Sequence, residues 1–172
     1  GDVYKRQGLV FIIAAIIMLL FFKTRKAGAI SLIALLFGFL LTNLLLKNVV
    51  ARLRPYIDTN SDFYFWWKSA GSLLESGFSF PSGHTTAATG FGFSLFICFK
   101  KRISWLYLLI PIFMGFTRIY FMVHYASDVV GALFVGIVCS TCSYFTFKGI
   151  SKFKFIDKAY NLPSIVSLFK RE

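Results

Sequence analysis

The sequence predicts an all-α protein, a polytopic helical bundle that spans a membrane. Of its 172 residues, 57% are hydrophobic and 19% are aromatic, and the apolar residues fall into runs that short basic clusters separate. Several of these runs approach the roughly 20 residues that a helix needs to cross a bilayer. At this length we expect one integral-membrane domain over residues 1–172.

Five spans are predicted from the apolar runs, at residues 8–22, 27–46, 81–99, 103–116 and 129–147. The first run is short for a span, although neighbouring basic residues can snorkel. Pro111 should kink the fourth run or free a carbonyl there. Residues 1–7 match the first run poorly, and we interpret them as a non-native head. Residues 148–172 form a basic tail that suits contact with anionic lipid headgroups.

Residues 48–80 are too polar to cross a membrane, and we predict a partly helical loop outside it. Its five consecutive aromatic residues, 63–67, are typical of a membrane–water interface, an interpretation that we prefer over ligand stacking. Cys98, Cys139 and Cys142 lie within apolar runs and are odd in number. We therefore interpret them as packing residues, and not as a disulfide framework or a metal site.

The net charge of +12 lies in short clusters between the apolar runs, which favours membrane topology over a nucleic-acid face. Because five spans alternate sides, residues 23–26, 100–102 and 148–172 share one side. Basic residues exceed acidic ones by ten on that side and by two on the other, which accounts for the total of +12. The positive-inside rule places the more basic side in the cytoplasm, so the other side faces outward.

Residues 117–128 place an arginine, a histidine and an aspartate at the edge of a span, where ionisable groups are costly to desolvate. His124 and Asp128 are four residues apart, which puts them on one face of a helix. An aspartate beside a histidine suggests a carboxylate that orients and charges the imidazole. Arg118 suggests that an anion is held nearby.

Two further polar clusters lie at span ends on the same predicted side. At the end of the second run, Lys47 supplies a point charge and Arg54 a planar fork suited to phosphate oxygens. At the start of the third run, Ser82 fits an N-cap and Gly83 lets backbone N–H groups approach a ligand. His84 follows directly. Each cluster alone is also an ordinary structural feature, either basic residues outside a span or a capped helix start.

The three clusters together indicate an anion site. His84 and His124 are the only histidines in the chain, and with Asp128 they raise the alternative of a metal site. However, the lysine and two arginines of the clusters would surround such a metal with positive charge. We therefore expect no metal and no cofactor.

Three motifs also follow one another in a fixed order. They are a lysine, six residues and Arg-Pro from Lys47 to Pro55; Pro-Ser-Gly-His at residues 81–84; and an arginine, five residues, a histidine, three residues and an aspartate from Arg118 to Asp128. This order and spacing resemble the signature of the type 2 phosphatidic acid phosphatase (PAP2) family of membrane lipid phosphatases. That family is related in its core to vanadium haloperoxidases.

The chain departs from the family pattern in two respects. Thr117 stands where the family usually has serine, and the hydroxyl is kept. The family core usually has six spans. Because the chain does not start with methionine, we expect the sixth span to precede Gly8.

The resemblance implies a role for each matched residue. His124 resembles the nucleophile that attacks phosphorus and forms a phosphohistidine, and Asp128 resembles the group that holds its ring. His84 resembles the general acid that protonates the leaving oxygen. The residues that resemble the phosphate-binding shell are Lys47, Arg54, Ser82, Gly83 through its amide, and Arg118.

The expected function is that of a metal-independent lipid phosphatase at the extracytoplasmic face of a bacterial cytoplasmic membrane. Phosphoryl transfer needs positioning and stabilised negative charge, which cations and a helix start supply. Candidate substrates are a polyprenyl diphosphate, phosphatidylglycerol phosphate, phosphatidic acid and lipid A phosphates. The alternatives are a phosphotransferase of the same fold and a non-catalytic binder or transporter of anionic lipids. Haloperoxidase chemistry fits so membrane-embedded a chain poorly.

The expected partners are the lipid substrate and membrane lipids, without nucleic acid, and the sequence does not indicate an oligomeric state.

Overall fold

The computed structural model describes residues 7–99 and 101–153, and within these residues all regular secondary structure is helical. This confirms the all-α prediction. The predicted head and basic tail lie outside the described residues, except for residue 7 and residues 148–153. The α-helices are α1 (Gln7–Leu20), α2 (Arg25–Val50), α3 (Asp62–Ser69), α4 (Gly83–Phe99), α5 (Leu109–Tyr120) and α6 (Ala126–Ile150). Short 3-10 helices cover Pro55–Ile57 and Ser104–Leu108.

Two of the helices are long and apolar enough to cross a membrane: α2 with 26 residues and α6 with 25. The stretches Gly8–Leu20 and Ser104–Tyr120 are apolar but shorter. Both long helices exceed the predicted runs because backbone hydrogen bonding continues past the last apolar residue. As a result, Lys47 and Asp128 lie on helix ends and not in loops. The count of five spans stays a prediction.

Helix α4 is the centre of the bundle and packs against α1, α2, α5 and α6. Most of its buried residues are small or carry a hydroxyl group, a composition that lets neighbouring helices approach closely. The buried residues are Thr85, Thr86, Ala88, Thr89, Gly90, Phe91, Gly92, Ser94 and Leu95. Because its neighbours surround it, α4 does not need the uniformly apolar surface of a helix that faces lipid.

Several buried hydroxyl groups of α4 and α6 find partners on the helices themselves, whereas the buried Ser31 Oγ on α2 has none among the described residues. Thr89 Oγ1 donates to the carbonyl of Thr85 at 2.7 Å, and Ser94 Oγ donates to that of Gly90 at 2.6 Å. Ser140 Oγ on α6 also reaches the Gly90 carbonyl, at 3.0 Å. Such bonds remove the cost of placing a polar group in an apolar interior and link α4 to α6.

Large apolar side chains cover the outside of the bundle. For example, Phe113 and Phe116 on α5 and Phe134 on α6 are 65–69% exposed. A surface this apolar is unusual for a protein in water and suits contact with lipid chains.

A π-helical turn, Leu40–Leu46, interrupts α2 shortly before its end. Turns of this kind occur frequently at functional sites, because they shift the register of the residues that follow. Here Asn43 and Lys47 both approach the start of α4. The Asn43 Oδ1 and Lys47 Nζ atoms lie 3.7 and 3.9 Å from the place that a Cβ on Gly83 would take.

The loop between α2 and α4 is held together by its aromatic residues. Trp67 stacks on Tyr56 with ring centroids 4.8 Å apart, and its indole N–H donates to the Leu73 carbonyl at 2.7 Å. Phe65 and Trp66 on α3 are exposed, at 59% and 52%. Their placement at a membrane interface stays a prediction. The three cysteines are free thiols, of which Cys139 is buried, Cys98 half-buried and Cys142 exposed.

Replacing Gly136 by alanine should destabilise the fold by about 1–3 kcal/mol through overpacking. A Cβ at this position of α6 would clash with Thr89 Cβ and would lie 3.1 Å from the Thr86 carbonyl oxygen on α4. Gly149 provides the matched control, because it lies on the same helix and a Cβ there meets nothing within 4 Å. There the same change should stabilise by about 0.5–1 kcal/mol, since alanine favours the helix. Thermal unfolding in detergent measures both effects. Equal shifts for the two variants would contradict the close α4–α6 contact.

Candidate active site

The polar residues singled out by the sequence converge at one end of the bundle. They come from the end of α2, the loop that follows it, the start of α4, the end of α5 and the start of α6. Of these residues, Arg54 is 4% exposed, Arg118 and His124 are each 1% exposed and Asp128 is fully buried. The structure therefore brings together ionisable groups that are far apart in the chain and largely removes them from solvent.

The carboxylate of Glu75 lies at the centre of this cluster. Its Oε1 is 3.0 Å from Arg118 Nη1 and 3.4 Å from His84 Nδ1. Its Oε2 is 2.9 Å from Arg54 Nη1 and 3.4 Å from His124 Nε2. Each carboxylate oxygen thus joins one arginine to one histidine, and the carboxylate marks where the site holds an anion.

Arg54 is fixed by the backbone of the same loop that carries Glu75. Its Nε donates to the Gly77 carbonyl at 2.9 Å and its Nη2 to the Ser76 carbonyl at 3.0 Å. Its Nη1 also donates to the Val123 carbonyl, next to His124, at 2.9 Å. The guanidinium is therefore oriented by several acceptors besides the carboxylate.

His124 has one ring nitrogen on each side of the site. Its Nε2 faces Glu75 and Arg54, while its Nδ1 lies 3.5 Å from Asp128 Oδ2 and 3.4 Å from Ser79 Oγ. Ser79 Oγ donates to Asp128 Oδ2, so its lone pairs are available to accept from the imidazole. Ser79 and Asp128 thus favour a proton on Nδ1. Nε2 faces the Glu75 carboxylate, which can only accept a hydrogen bond, so Nε2 offers a lone pair only when that carboxylate is displaced and Nε2 is deprotonated.

Asp128 is held by three donors besides the histidine. The Tyr125 N–H donates to its Oδ2 at 2.9 Å, which closes a capping box at the start of α6. Arg52 Nη1 lies 2.8 Å from its Oδ1, and the Arg52 guanidinium stacks 3.9 Å above the Tyr125 ring. With Ser79 as the third donor, the carboxylate is fixed in the position that orients His124.

The start of α4 is tied to the start of α6. The Ser82 N–H donates to the Asp128 carbonyl at 3.2 Å, and Ser82 Oγ accepts from the Thr85 N–H at 3.4 Å, in the manner of an N-cap. Ser82 is fully buried. Lys47 approaches this helix start from α2, near Gly83. The predicted residues Lys47, Ser82 and Gly83 therefore lie on one side of the cluster.

Thr117 takes part in placing the neighbouring Arg118. Its Oγ1 donates to the Met114 carbonyl at 2.8 Å and accepts from Arg118 Nε at 3.4 Å. The hydroxyl group thus turns the guanidinium, and either serine or threonine provides it.

Left-handed backbone turns lead into two of the site segments. Ala51 has φ 47° directly after α2, and Met122 has φ 50° between α5 and His124. Non-glycine residues in this region carry strain that the surrounding structure must offset, and such residues occur often at functional sites. These turns redirect the chain so that Arg52, Arg54 and His124 face the cluster.

The pKa of Glu75 is lowered from its ordinary value although burial alone would raise it. The hydrogen bond to His124 and the positive charges of His84 and Arg54 outweigh the cost of burial. The carboxyl group is therefore an anion at neutral pH, in the midst of the cationic side chains.

Sequence reasoning missed three residues of the site: Arg52, Glu75 and Ser79. Arg52 could have been found from the sequence, since Lys47, Arg52 and Arg54 are three basic residues in one short stretch that ends at Pro55. Glu75 and Ser79 lie in an irregular loop, where no periodicity relates them to the helix ends that they contact.

Comparison with known proteins connects this arrangement to a family. The family model of the PAP2 superfamily matches residues 27–151. A lipid A 1-phosphatase of Rhizobium johnstonii is 36% identical over 110 residues, which is 63% of this chain and 43% of that protein. An undecaprenyl-diphosphatase of Sulfolobus acidocaldarius is 27% identical over 136 residues, 77% of this chain and 61% of that protein. The chain thus spans about half the length of these relatives.

A solved structure also resembles the fold. It is the crystal structure of a transmembrane PAP2-type phosphatidylglycerolphosphate phosphatase from Bacillus subtilis, with a TM-score of 0.58 and 25% sequence identity. The similarity covers 88% of this chain and 71% of that chain.

Glu75→Gln should destabilise the protein at neutral pH by about 3 kcal/mol, because it leaves buried arginines without their anion. Since the pKa of Glu75 is lower in the folded state than in the unfolded state, its stabilisation is fully present above the unfolded value, near 4.5. It is lost as the pH falls towards the folded-state pKa. The gap in unfolding temperature between the wild type and the variant should therefore narrow below pH ~4.5.

The control for this experiment is Asp62→Asn, which removes an exposed carboxylate from the same loop. It should change stability by less than about 0.5 kcal/mol. A gap for Glu75→Gln that stays constant down to pH ~3 would show that the carboxylate is not held as an anion by the cluster.

Proposed function

The chain belongs to the PAP2 superfamily, and we propose that it hydrolyses the phosphate monoester or diphosphate of a membrane lipid through a phosphohistidine on His124. One observation carries this proposal. His124 Nε2 and His84 Nδ1 both face one anion position, 3.4 Å from its two oxygens, and Arg54 and Arg118 hold the same anion. A phosphoryl group in that position meets a nucleophile, an acid and two cations.

In the first step, the Nε2 lone pair of His124 attacks phosphorus. The bond between phosphorus and the lipid oxygen breaks, and His84 gives its proton to that oxygen. Asp128 and Ser79 stabilise the positive charge that develops on the His124 ring. The two guanidiniums bind the equatorial oxygens, on which the negative charge of the transition state is spread.

In the second step, water attacks the phosphohistidine. His84 now takes a proton from the water, the bond between Nε2 and phosphorus breaks, and inorganic phosphate is left in the site. The sum of both steps is hydrolysis of one ester or anhydride bond. The charge stabilisation that these steps require comes from this chain's own cations.

An apolar groove supports a lipid as the substrate. The groove has a volume of about 410 Å³ and runs from His84 and Gly83 between α1 and α2, where Ile12, Leu35 and Phe39 line it. Its size fits a small ligand or part of a chain. A lipid headgroup at the anion position would leave its hydrocarbon in this groove.

The names of the relatives support the same substrate class. They denote phosphatases of lipid A, of a polyprenyl diphosphate and of phosphatidylglycerol phosphate. These substrates share a terminal phosphate on a membrane lipid, and this shared group is what we propose for the chain.

The charge distribution supports an extracytoplasmic site in a multi-pass protein. Helix α6 extends about 37 Å from the site to its far end. Near that far end Lys26 Nζ lies 5.3 Å from the centre of the Tyr144 ring. The basic residues 23–26 therefore lie at the end of the bundle opposite the site. By the positive-inside rule, this arrangement supports a site on the extracytoplasmic side.

Substitution of either histidine should separate their roles. His124→Ala should lower kcat by about 10³-fold or more and abolish a radioactive phosphoenzyme that is stable in alkali and labile in acid. His84→Ala should slow release of a lipid alkoxide by about 10²–10⁴-fold. It should slow release of p-nitrophenolate much less, because that leaving group needs no proton. Phosphoenzyme formation in His124→Ala would overturn the assignment of the nucleophile.

The proposed function itself is tested by phosphate release from a lipid panel in detergent. The panel contains an undecaprenyl diphosphate, phosphatidylglycerol phosphate, phosphatidic acid and a lipid A phosphate, each with and without EDTA. We expect release from at least one lipid, equal under both conditions, because the catalytic charge is supplied by side chains. Loss of all activity with EDTA would refute the metal-independent mechanism, and transfer to an added alcohol without hydrolysis would identify a phosphotransferase.

A further inference from the structure

We propose that Glu75 is a specificity-determining residue, whose carboxylate fills the anion position and yields it to phosphate groups that carry two negative charges, but not to the phosphodiesters of the surrounding bilayer. This inference rests on the proposed function, because it concerns which headgroups reach His124. It adds a selection step before the chemistry.

The occupancy of the site is the first argument. The four groups that would bind and attack a phosphoryl group all contact the Glu75 carboxylate, at 2.9–3.4 Å. Two anions cannot share a position of this size, since like charges at such distances repel strongly. A substrate therefore reacts only after it has displaced the carboxylate.

The way in which the loop is anchored is the second argument. Tyr56 fixes the backbone of Glu75 twice: its hydroxyl donates to the Glu75 carbonyl at 2.9 Å and accepts from the Glu75 N–H at 3.2 Å. Arg54 donates to the carbonyls of Ser76 and Gly77. These contacts do not involve the carboxylate, so the side chain can rotate out of the site while the loop stays in place.

Charge decides which anion can displace a tethered carboxylate. A group attached near its site competes at an effective concentration in the millimolar range. A phosphodiester carries one negative charge, as the Glu75 carboxylate does. Replacing the carboxylate by a phosphodiester therefore adds no negative charge to the site, and the phosphodiester must still be removed from water. A phosphomonoester carries about −1.5 to −2 at pH 7 and presents three acceptor oxygens. Two arginines, two histidines and the nearby Lys47 bind such an anion more strongly than they bind the carboxylate.

The selection matters because a membrane enzyme meets phosphodiester lipids at far higher concentration than its substrate. A cationic pocket without Glu75 would bind those headgroups as competitive inhibitors. The Glu75 carboxylate binds the cationic site more strongly than a phosphodiester does and less strongly than the substrate phosphate does. It therefore excludes phosphodiesters and contributes to specificity, at some cost in affinity for the substrate.

The test compares anion binding by the wild-type chain, Glu75→Gln and Asp62→Asn in detergent, with inorganic phosphate and dimethyl phosphate as probes. Titration calorimetry should show inorganic phosphate binding to Glu75→Gln about tenfold or more tightly than to the wild type. Dimethyl phosphate should bind to Glu75→Gln alone. Asp62→Asn, the control for loss of one loop charge, should match the wild type with both probes.

Activity provides a second measurement. With a phosphomonoester lipid in mixed micelles, Glu75→Gln should show a lower KM and should be inhibited when phosphatidylglycerol is added, whereas the wild type should resist that inhibition. A fall in kcat at unchanged KM, with unchanged inhibition, would overturn the proposal in favour of a catalytic role. Equal binding of both probes by the wild type and Glu75→Gln would also overturn it.

Glu75→Asp covers the case in which Glu75→Gln does not fold. Glu75→Asp keeps a carboxylate, but its side chain is one methylene group shorter, so the contacts of the carboxylate with the arginines and histidines weaken. This variant should therefore bind inorganic phosphate more tightly than the wild type does. Unchanged affinity would contradict the proposal. Because the binding of inorganic phosphate and of dimethyl phosphate requires no hydrolysis, these results stand even if no lipid in the panel is hydrolysed, which separates a failure of this inference from a failure of the proposed function.

Discussion

The burial of positive charge is the constraint on which the rest of the structure depends. Arg54 and Arg118 are almost completely removed from water, and two histidines lie beside them. Removing a charged group from water costs several kcal/mol, which only a close counter-ion and further hydrogen bonds can offset. Glu75 meets that requirement in the structure. In the proposed reaction the phosphoryl group meets it, so the pocket is stable only when it contains an anion.

The architecture of the bundle explains why this pocket forms at one end. Helix α4 has small and hydroxylated residues, which allow its neighbours to pack closely around it. The polar ends of α2, α5 and α6 are thereby brought towards the start of α4. Helix termini carry unpaired backbone groups and are natural places for polar side chains. The hydrogen bond from the Ser82 N–H to the Asp128 carbonyl joins the start of α4 to the start of α6.

The sequence was informative where long apolar runs mark the helices, and these runs predicted the all-α fold. The expectation that His124 and Asp128 share one face of a helix was wrong, because α6 begins at Ala126 and His124 lies in the turn before it. The two side chains meet nevertheless, with His124 Nδ1 3.5 Å from Asp128 Oδ2. The sequence could not fix the end of α2 at Val50 or the start of α6 at Ala126, since backbone hydrogen bonding continues beyond the predicted apolar runs. It also missed Glu75, whose position depends on an irregular loop anchored by Arg54 and Tyr56. Contacts between residues so far apart in the chain follow from packing, and no local pattern encodes them.

The anchoring of that loop also bears on how a cycle of turnover ends. In the proposed reaction the pocket holds inorganic phosphate after hydrolysis, and the departure of this phosphate alone would leave two buried guanidiniums without an anion, at a cost of several kcal/mol. The backbone contacts of Arg54 keep the loop in place throughout, so the Glu75 carboxylate stays within reach. Its return as the phosphate leaves replaces one anion by another. Under the proposed selection, the side chain that hinders entry of weak anions also lowers the free-energy cost of product release, and its affinity for the site has to lie between that of a phosphodiester and that of the substrate.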